Sequence, residues 1–257
     1  MDVTVAISTF GRADTVLETV GNLVGVPTLV NVNDGDSQLR DKLKAKGCRT
    51  VLTDGPELFW QGMASLVRHS LTEWLLITSD EDPVIVEELP ALTAFAESKN
   101  AGVVCAPVWG SGLVKPWPES WAQRMADDDP LHPSHFHDVS GYISGTLLHR
   151  ETALKHLPLI EKIASSNQYV LIYTVPALVA LMGMTRNIHT YPRAVTTFGE
   201  QLPGQQEVPG SDYWEPGSRR IQHEHLGQFF NIVSGINAEY GEKLREARVY
   251  EKRGWLA

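Results

Sequence analysis

The sequence predicts an α/β fold in which a mostly parallel sheet is flanked by helices and followed by a C-terminal helical extension. Three observations predict it. Apolar, β-branched stretches alternate with stretches that carry apolar residues at helical spacing, which is typical of strand–helix–strand units. The stretch WLLIT (74–78) is continuously apolar, as expected for a strand buried on both faces of a sheet. Turn-forming and charged residues follow the predicted strands at three places.

The elements can be assigned in order along the chain. VTVAIST (3–9) is rich in β-branched residues, and Asp34, Gly35 and Asp36 close the second strand. Pro56 suits the first turn of a helix that runs to the strand at 74. The predicted strands are 3–9, 28–33, 49–53, 74–78, 102–108 and 142–149. The predicted helices are 12–24, 37–46, 56–74 and 84–98, with 151–184 largely helical. Residues 109–121 and 199–220 are rich in Gly and Pro and are predicted to be a loop and a lid or wrapping segment.

Length, composition and charge restrict the class of protein. The 257 residues are 42% hydrophobic and 21% charged, which is ample for a globular core. No apolar run has the length of a bilayer span and the N-terminus lacks a basic leader, so a cytoplasmic protein without a membrane span is expected. The two cysteines, Cys48 and Cys105, are expected to be reduced thiols. The net charge of −9 argues against general nucleic-acid binding and leaves only a local basic groove, for example at Arg219 and Arg220.

Three polar strand ends predict the position of a ligand site. They are Thr9–Arg12, Asn33–Asp36 and Ser79–Asp82. In open α/β sheets, ligands bind beyond the carboxyl ends of the strands. Asp34 could accept hydrogen bonds from a nucleobase or ribose, or it could only form a turn. Arg12 could bind a phosphate at the helix start, or it could be an ordinary surface charge.

The acidic stretch SDED (79–82) allows two interpretations. Asp80 and Asp82 could hold Mn²⁺ or Mg²⁺, which bind a few carboxylates and complete their coordination with phosphate oxygens. Alternatively, the stretch is a solvated acidic turn or caps the following helix. His223 or His225 could supply an imidazole to such a metal, although a helix would let at most one of them point inward.

Five stretches, taken in order, resemble the GT-A glycosyltransferases, and within them the inverting, family 2-like group. The resemblance covers about residues 1–200. The matching stretches are VTVAISTFGRADTVLETVGNL, VNVNDGDS, PELFWQGMASLVRHSLTEWLLITSDEDPVIVEELPAL, AGVVCAPV and GYISGTLLHRETALKHLP. The resemblance implies a GT-A domain over 1–200, with a nucleotide-sugar half (1–108) and an acceptor half (109–200). Residues 201–257 are then expected to form a lid and helices packed on the same domain.

The resemblance also implies an activity. It implies a metal-dependent hexosyl- or pentosyltransferase that moves a sugar from a UDP-, GDP- or dTDP-sugar to a hydroxyl acceptor, which could be a glycan, a small molecule or a modified DNA base. Asp80 and Asp82 become the metal pair, with Mn²⁺ or Mg²⁺. The implied donor-binding residues are Thr9, Phe10, Arg12, Asp34, Trp60 and Asp80.

The sequence departs from that family where its general base is expected. The family has Glu-Asp at a helix start, whereas the corresponding place here has Asn167 and Gln168, and an amide cannot abstract a proton. The base is then elsewhere, the alignment of this stretch is wrong, or the enzyme retains configuration. Asp138, Glu151 and Glu200 are candidate bases by composition only. Two alternatives therefore stay open: a catalytically altered nucleotide-sugar-binding module, and a sugar nucleotidyltransferase, although STFGRAD is poor in glycine for the latter.

Overall fold

The computed structural model describes residues 2–53, 59–109, 130–199 and 218–246. The strands are β1 (Val3–Thr9), β2 (Thr28–Val32), β3 (Arg49–Leu52), β4 (Trp74–Ser79), β5 (Val103–Cys105), β6 (Val108–Trp109), β7 (Thr146–His149), β8 (Ile188–Thr190) and β9 (Thr196–Thr197). The α-helices are α1 (Ala13–Gly21), α2 (Ser37–Ala45), α3 (Phe59–His69), α4 (Leu89–Ser98), α5 (Phe136–Ser140), α6 (Arg150–Ala164), α7 (Gln168–Ile172), α8 (Thr174–Met182), α9 (Ser218–Ile236) and α10 (Ala238–Arg245).

Seven strands form the main sheet in the order β3-β2-β1-β4-β7-β5-β8, and β6 pairs with β9 in a separate two-stranded sheet. All neighbours in the main sheet are parallel except β7, which runs antiparallel to β4 and β5. Thr146 pairs with Ile77, and His149 pairs with Trp74. The start of β7 therefore lies at the edge where β1, β2 and β4 end, and the end of β7 lies at the opposite edge.

The two faces of the sheet bury two separate hydrophobic clusters. Along β1, Ala6 belongs to one cluster, whereas Val5 and Ile7 belong to the other, as the alternation of side chains in a strand requires. The first cluster is completed by α3, by the helices after β7 and by α9 and α10, and the second by α1, α2 and α4. The C-terminal helices thus pack into the same core as the sheet. The division of the chain at residue 200 stays a prediction.

The predicted fold class is confirmed: the structure is a mixed α/β fold with a mostly parallel sheet flanked by helices. Several boundaries differ. The predicted strand 102–108 divides into β5 and β6, and β7 begins only at Thr146, because Gly145 before it has a φ of 84° that breaks the extended conformation. The predicted helical stretch 151–184 is divided into α6, α7 and α8. In the described part of the chain, no helix combines the length and the apolar character that crossing a membrane requires.

Candidate active site

The ends of β1, β2 and β4 bring three of the predicted site residues together. Since β1 lies between β2 and β4 in the sheet, its last residue can contact both neighbours. The hydroxyl of Thr9 donates to Asp80 Oδ2 at 2.8 Å. The backbone carbonyl of Thr9 accepts from the amide of Asn33 at 3.0 Å, one residue before Asp34. The predicted convergence of these strand ends is therefore present in the structure.

Asp80 is a buried carboxylate beside a guanidinium. Arg12 Nη1 lies 3.1 Å from Asp80 Oδ1 and 2.9 Å from Glu81 Oε2, so one nitrogen bridges both acids. Burial raises the pKa of the Asp80 carboxyl, whereas the Thr9 hydrogen bond and the charge of Arg12 act in the opposite direction. Arg12 lies at the start of α1, three residues after the end of β1, and is part-exposed, with 24% of its side chain accessible. The site therefore combines a shielded anion with a cation that reaches the surface.

Asp34 links the loops after β1 and β2. Its Oδ2 accepts from the Gly11 amide at 2.8 Å, and its Oδ1 accepts from the Asp36 amide at 3.1 Å. Gly11 has a φ of 65°, a conformation that favours glycine. Asp34 thus forms the turn that the sequence left as one alternative, while it stays half-buried at the predicted site edge.

Phe10 and Trp60 are the remaining predicted donor-site residues. Phe10 is half-buried and lies in the loop next to Arg12. Trp60 lies in the first turn of α3, packs against the first hydrophobic cluster, and has a buried indole N–H with no hydrogen-bond partner among the described residues. In the described part of the chain, neither side chain forms a hydrogen bond with Asp80. Their role in donor binding stays a prediction.

A buried polar cluster under the site was not predicted from the sequence. The Asn33 side chain donates to Ser8 Oγ at 2.8 Å and accepts from Thr53 Oγ1 at 3.2 Å and from Asn31. Gly62 on α3 covers this cluster, and a Cβ at that position would come within 2.8 Å of Asn31 Nδ2. The alternation of Asn31 and Asn33 in an otherwise apolar strand was the available signal. Because alternate residues of an extended chain point to the same side, Asn31 and Asn33 both face α3, where Gly62 leaves room for them.

Asp82 has surroundings quite unlike those of Asp80. It is fully buried, and its Oδ2 accepts from the Tyr142 hydroxyl at 2.6 Å and from the Ser144 hydroxyl at 2.5 Å. Its Oδ1 accepts from the Gly199 amide at 2.9 Å. Sequence reasoning did not find these partners, because they are 60 residues or more away in the chain and follow no local pattern.

The two carboxylates do not fit the predicted metal pair equally well. Both oxygens of Asp82 are used by neutral donors, so a cation there would have to displace them. Both oxygens of Asp80 also accept hydrogen bonds, but one of its donors is the part-exposed cation Arg12, so a metal there would replace one positive charge by another. Within the described ranges, no group of three or more His, Cys, Asp and Glu side chains is arranged to hold a metal. Mn²⁺ or Mg²⁺ binding stays a prediction, and the charged partner of Asp80 makes it the better candidate of the two carboxylates.

Among the described residues, no contact brings the other predicted metal ligands or the candidate bases to the acidic turn. His223 is exposed on α9, and the ring of His225 lies 3.4 Å from the amide of Gln168 at the start of α7. Asp138 pairs with His135 at 3.1 Å. Glu151 follows the end of β7, at the opposite edge of the sheet, and is paired with Lys155 at 3.0 Å. Asp80 lies at the other edge, so Glu151 is the least suitable of the described candidate bases. Glu200 lies outside the described residues.

Asn167 has a structural role at the place where the resembling family has its base. Its Oδ1 caps α7 by accepting from the Val170 amide at 3.1 Å. Its Nδ2 donates to the backbone carbonyl of His225 at 3.0 Å, which connects α7 to α9. Asn167 is buried and Gln168 is exposed. The amide at this position therefore holds two helices together.

Solved structures with the same fold identify the class of the architecture. The chain is similar to S. aureus TarS residues 1–349 in complex with UDP-GlcNAc, with a TM-score of 0.68 and 13% identity, over 96% of this chain and 71% of that one. It is also similar to TarS 1–349 in complex with UDP, with a TM-score of 0.59 and 12% identity, over 99% and 92%. No family model and no curated protein matches the sequence. The fold is therefore GT-A-like, as the sequence resemblance implied.

Proposed function

We propose that this protein is a glycosyltransferase that takes a sugar from a nucleotide-sugar donor and transfers it to a hydroxyl acceptor. The observation that supports it most is the meeting of Thr9, Arg12 and Asp80 at the carboxyl edge of a GT-A-like sheet. Nucleotides bind at this edge in open α/β sheets, and similar structures hold UDP-GlcNAc and UDP. A uridine diphosphate sugar is therefore the donor to test first, ahead of GDP- and dTDP-sugars.

In this proposal, the residues of the acidic turn bind the diphosphate. Arg12 donates from its guanidinium to phosphate oxygens, since it is part-exposed and already bridges Asp80 and Glu81. Asp80 would hold Mn²⁺ or Mg²⁺, which supplies a Lewis acid for the departing diphosphate. Thr9 keeps the Asp80 carboxylate oriented through its hydroxyl. The half-buried Asp34 and Phe10 line the nucleoside side of the same edge.

The acceptor-activating base is not assigned to a described residue. Glu151 follows β7 at the opposite edge of the sheet, and Asn167 is an amide with a capping role. The Asn167 observation favours a second candidate function, a nucleotide-sugar-binding module without transfer activity. Cytoplasmic location and the identity of the acceptor stay predictions.

The proposal is tested by thermal-shift and calorimetric titration with UDP-GlcNAc, UDP-glucose, GDP-mannose and dTDP-glucose, each with and without Mn²⁺. We expect a uridine nucleotide to raise the melting temperature, and Mn²⁺ to increase the shift. Asp80→Asn should remove the Mn²⁺-dependent part, because the amide carries no charge to hold the cation. Asp41→Asn is the matched control, since Asp41 is exposed on α2 and pairs with the neighbouring Arg40.

Hydrolysis of the bound nucleotide-sugar separates the two candidates. Slow Mn²⁺-dependent release of free sugar would support a transferase, whereas binding without any turnover would support the module. If no nucleotide stabilises the protein, both candidates fail.

A further inference from the structure

Asp82 differs from Asp80 in what surrounds it, although only one residue separates them. Its carboxylate is fully buried and accepts three hydrogen bonds, from Tyr142, Ser144 and Gly199. These donors come from two segments, the turn before β7 and the residues after β9. A buried carboxylate is stable only when its lone pairs are satisfied, and here both oxygens are. Asp82 therefore connects three parts of the chain at one point.

Steric contact holds the same point in place. A Cβ at Gly199 would lie 1.7 Å from the carbonyl oxygen of Glu81, so the backbone at 199 lies directly against the acidic turn. The residue before it, Phe198, donates its amide to the Trp109 carbonyl at 2.7 Å. The position of Gly199, and with it Phe198, is thus determined by the turn that carries Asp80 and Asp82.

Two aromatic rings meet beside Asp82. The rings of Tyr142 and Phe198 are stacked, with centroids 5.8 Å apart and planes 28° apart. Asp82 holds Tyr142 through its hydroxyl and Phe198 through the neighbouring amide of Gly199. Both residues stay partly exposed. The pair is therefore attached to the same turn that carries Glu81, which Arg12 contacts at 2.9 Å.

We propose that Asp82 is a positioning residue, not a metal ligand, and that it holds the Tyr142–Phe198 pair for contact with the sugar ring of the donor. The contact with a sugar rests on the proposed function. The apolar face of a pyranose ring suits an aromatic surface, and the polar end of Tyr142 is already satisfied by Asp82. In this division, Asp80 is the carboxylate available to a cation and Asp82 determines the shape of the sugar pocket.

The first experiment separates the charge of Asp82 from its hydrogen bonds. Asp82→Asn removes the charge but keeps an acceptor for the Gly199 amide, and the hydroxyl of Tyr142 can rotate to accept from the new amide. Mn²⁺ should increase the affinity of Asp82→Asn for UDP by a factor within about twofold of the wild-type factor. In Asp80→Asn, Mn²⁺ should no longer increase the affinity for UDP. Loss of the Mn²⁺ effect in Asp82→Asn, equal to that in Asp80→Asn, would overturn the proposal.

The second experiment measures the sugar contact by calorimetry, as the ratio of the dissociation constants for UDP and UDP-GlcNAc. Tyr142→Ala should lower the affinity for UDP-GlcNAc by about fivefold and leave that for UDP unchanged, because only the sugar touches the ring. Asp82→Ala should change the ratio in the same direction. Tyr240→Phe, which removes a tyrosine hydroxyl bonded to Ala180, is the control and should leave the ratio unaltered. An unchanged ratio in Tyr142→Ala would contradict the proposed sugar contact.

A double-mutant cycle tests the positioning role without any ligand. Asp82→Ala and Tyr142→Phe each remove the same hydrogen bond, so the double variant should be less destabilised than the sum of the two single changes. If the losses in the free energy of unfolding, measured with urea, are additive, Asp82 does not position Tyr142 through this hydrogen bond. If wild type binds no nucleotide, the proposed function and the sugar contact both fail, while this cycle still decides the role of Asp82.

Discussion

At the scale of single residues, the site depends on which atoms can approach one another. Asp80 and Asp82 are the same residue type in the same turn, yet one faces Arg12 and the other faces three neutral donors. Their difference arises from the direction in which each side chain leaves the backbone after β4. Gly199 shows the same principle, because only the absence of a side chain lets its amide reach Asp82.

Gly199→Ala is therefore expected to be strongly destabilising. The new methyl group would meet a backbone carbonyl that cannot rotate away, so overpacking should cost about 1–3 kcal/mol or more of the free energy of unfolding. Urea unfolding monitored by circular dichroism measures the change.

Gly227→Ala is the matched control for that substitution. Gly227 lies inside α9, and apart from the backbone of its own helix no described atom lies within 4 Å of the added Cβ, so alanine should stabilise the helix by up to about 1 kcal/mol. Equal stability of Gly199→Ala and wild type would show that the approach of Gly199 to Glu81 is looser than described.

At the scale of elements, short helices after β7 depend on capping and on contacts between helices. α7 has only five residues, too few to be stable alone, and it begins where Asn167 caps it and bonds the backbone of α9. The side chain thus performs two tasks at one helix start. This explains why an amide can be the suitable residue there even though it cannot act as a base.

Asn167→Ala should cost more stability than the loss of a cap alone. A cap is worth about 1 kcal/mol, and the buried hydrogen bond to the His225 carbonyl adds to it. Asn237→Ala at the start of α10 is the control, because Asn237 caps through Tyr240 in the same way but is exposed. Thermal unfolding of both variants gives the comparison, and an equal loss in the two would contradict the role of Asn167 between helices.

At the scale of the whole molecule, three histidines link folding to pH. Burial lowers the pKa of His149, His156 and His189, with further lowering by the positive charges of Arg186, Lys155 and Lys99, respectively. The folded protein therefore binds fewer protons than the unfolded chain as the pH falls below the ordinary histidine value of 6.5. The three neutral histidines therefore contribute to stability above pH 6.5. This contribution is lost as the pH falls from 6.5 toward the lower pKa values of the folded protein.

We expect the melting temperature to fall between pH 7.5 and pH 5.5, and the fall to be smaller in His156→Gln. Glutamine can keep a hydrogen bond to Thr185 but does not take up a proton. Scanning calorimetry over this range, with His69→Gln as a control at an exposed position, measures the difference. If the melting temperature falls equally with pH in His156→Gln and wild type, His156 does not contribute to the pH dependence of stability.

Much of the architecture was predictable from local patterns. β-branched runs, helical spacing and the polar strand ends predicted β1 to β4, the helices between them and the edge where Thr9 and Asp80 meet, because those signals act over neighbouring residues. The short strands β8 and β9, of three and two residues, carry too little periodicity to be predicted. The antiparallel direction of β7 depends on which neighbours it pairs with.

The sequence by itself determined the fold class, the first four strands along the chain and the acidic turn at the end of a buried strand. Only the tertiary structure decided that Asp80 faces Arg12 and that Glu151 lies at the opposite edge of the sheet. It also decided that Asp82 accepts its hydrogen bonds from Tyr142, Ser144 and Gly199. The reason is physical: hydrophobic periodicity is local, whereas the partner of a buried charge is chosen among residues that folding brings together from distant parts of the chain.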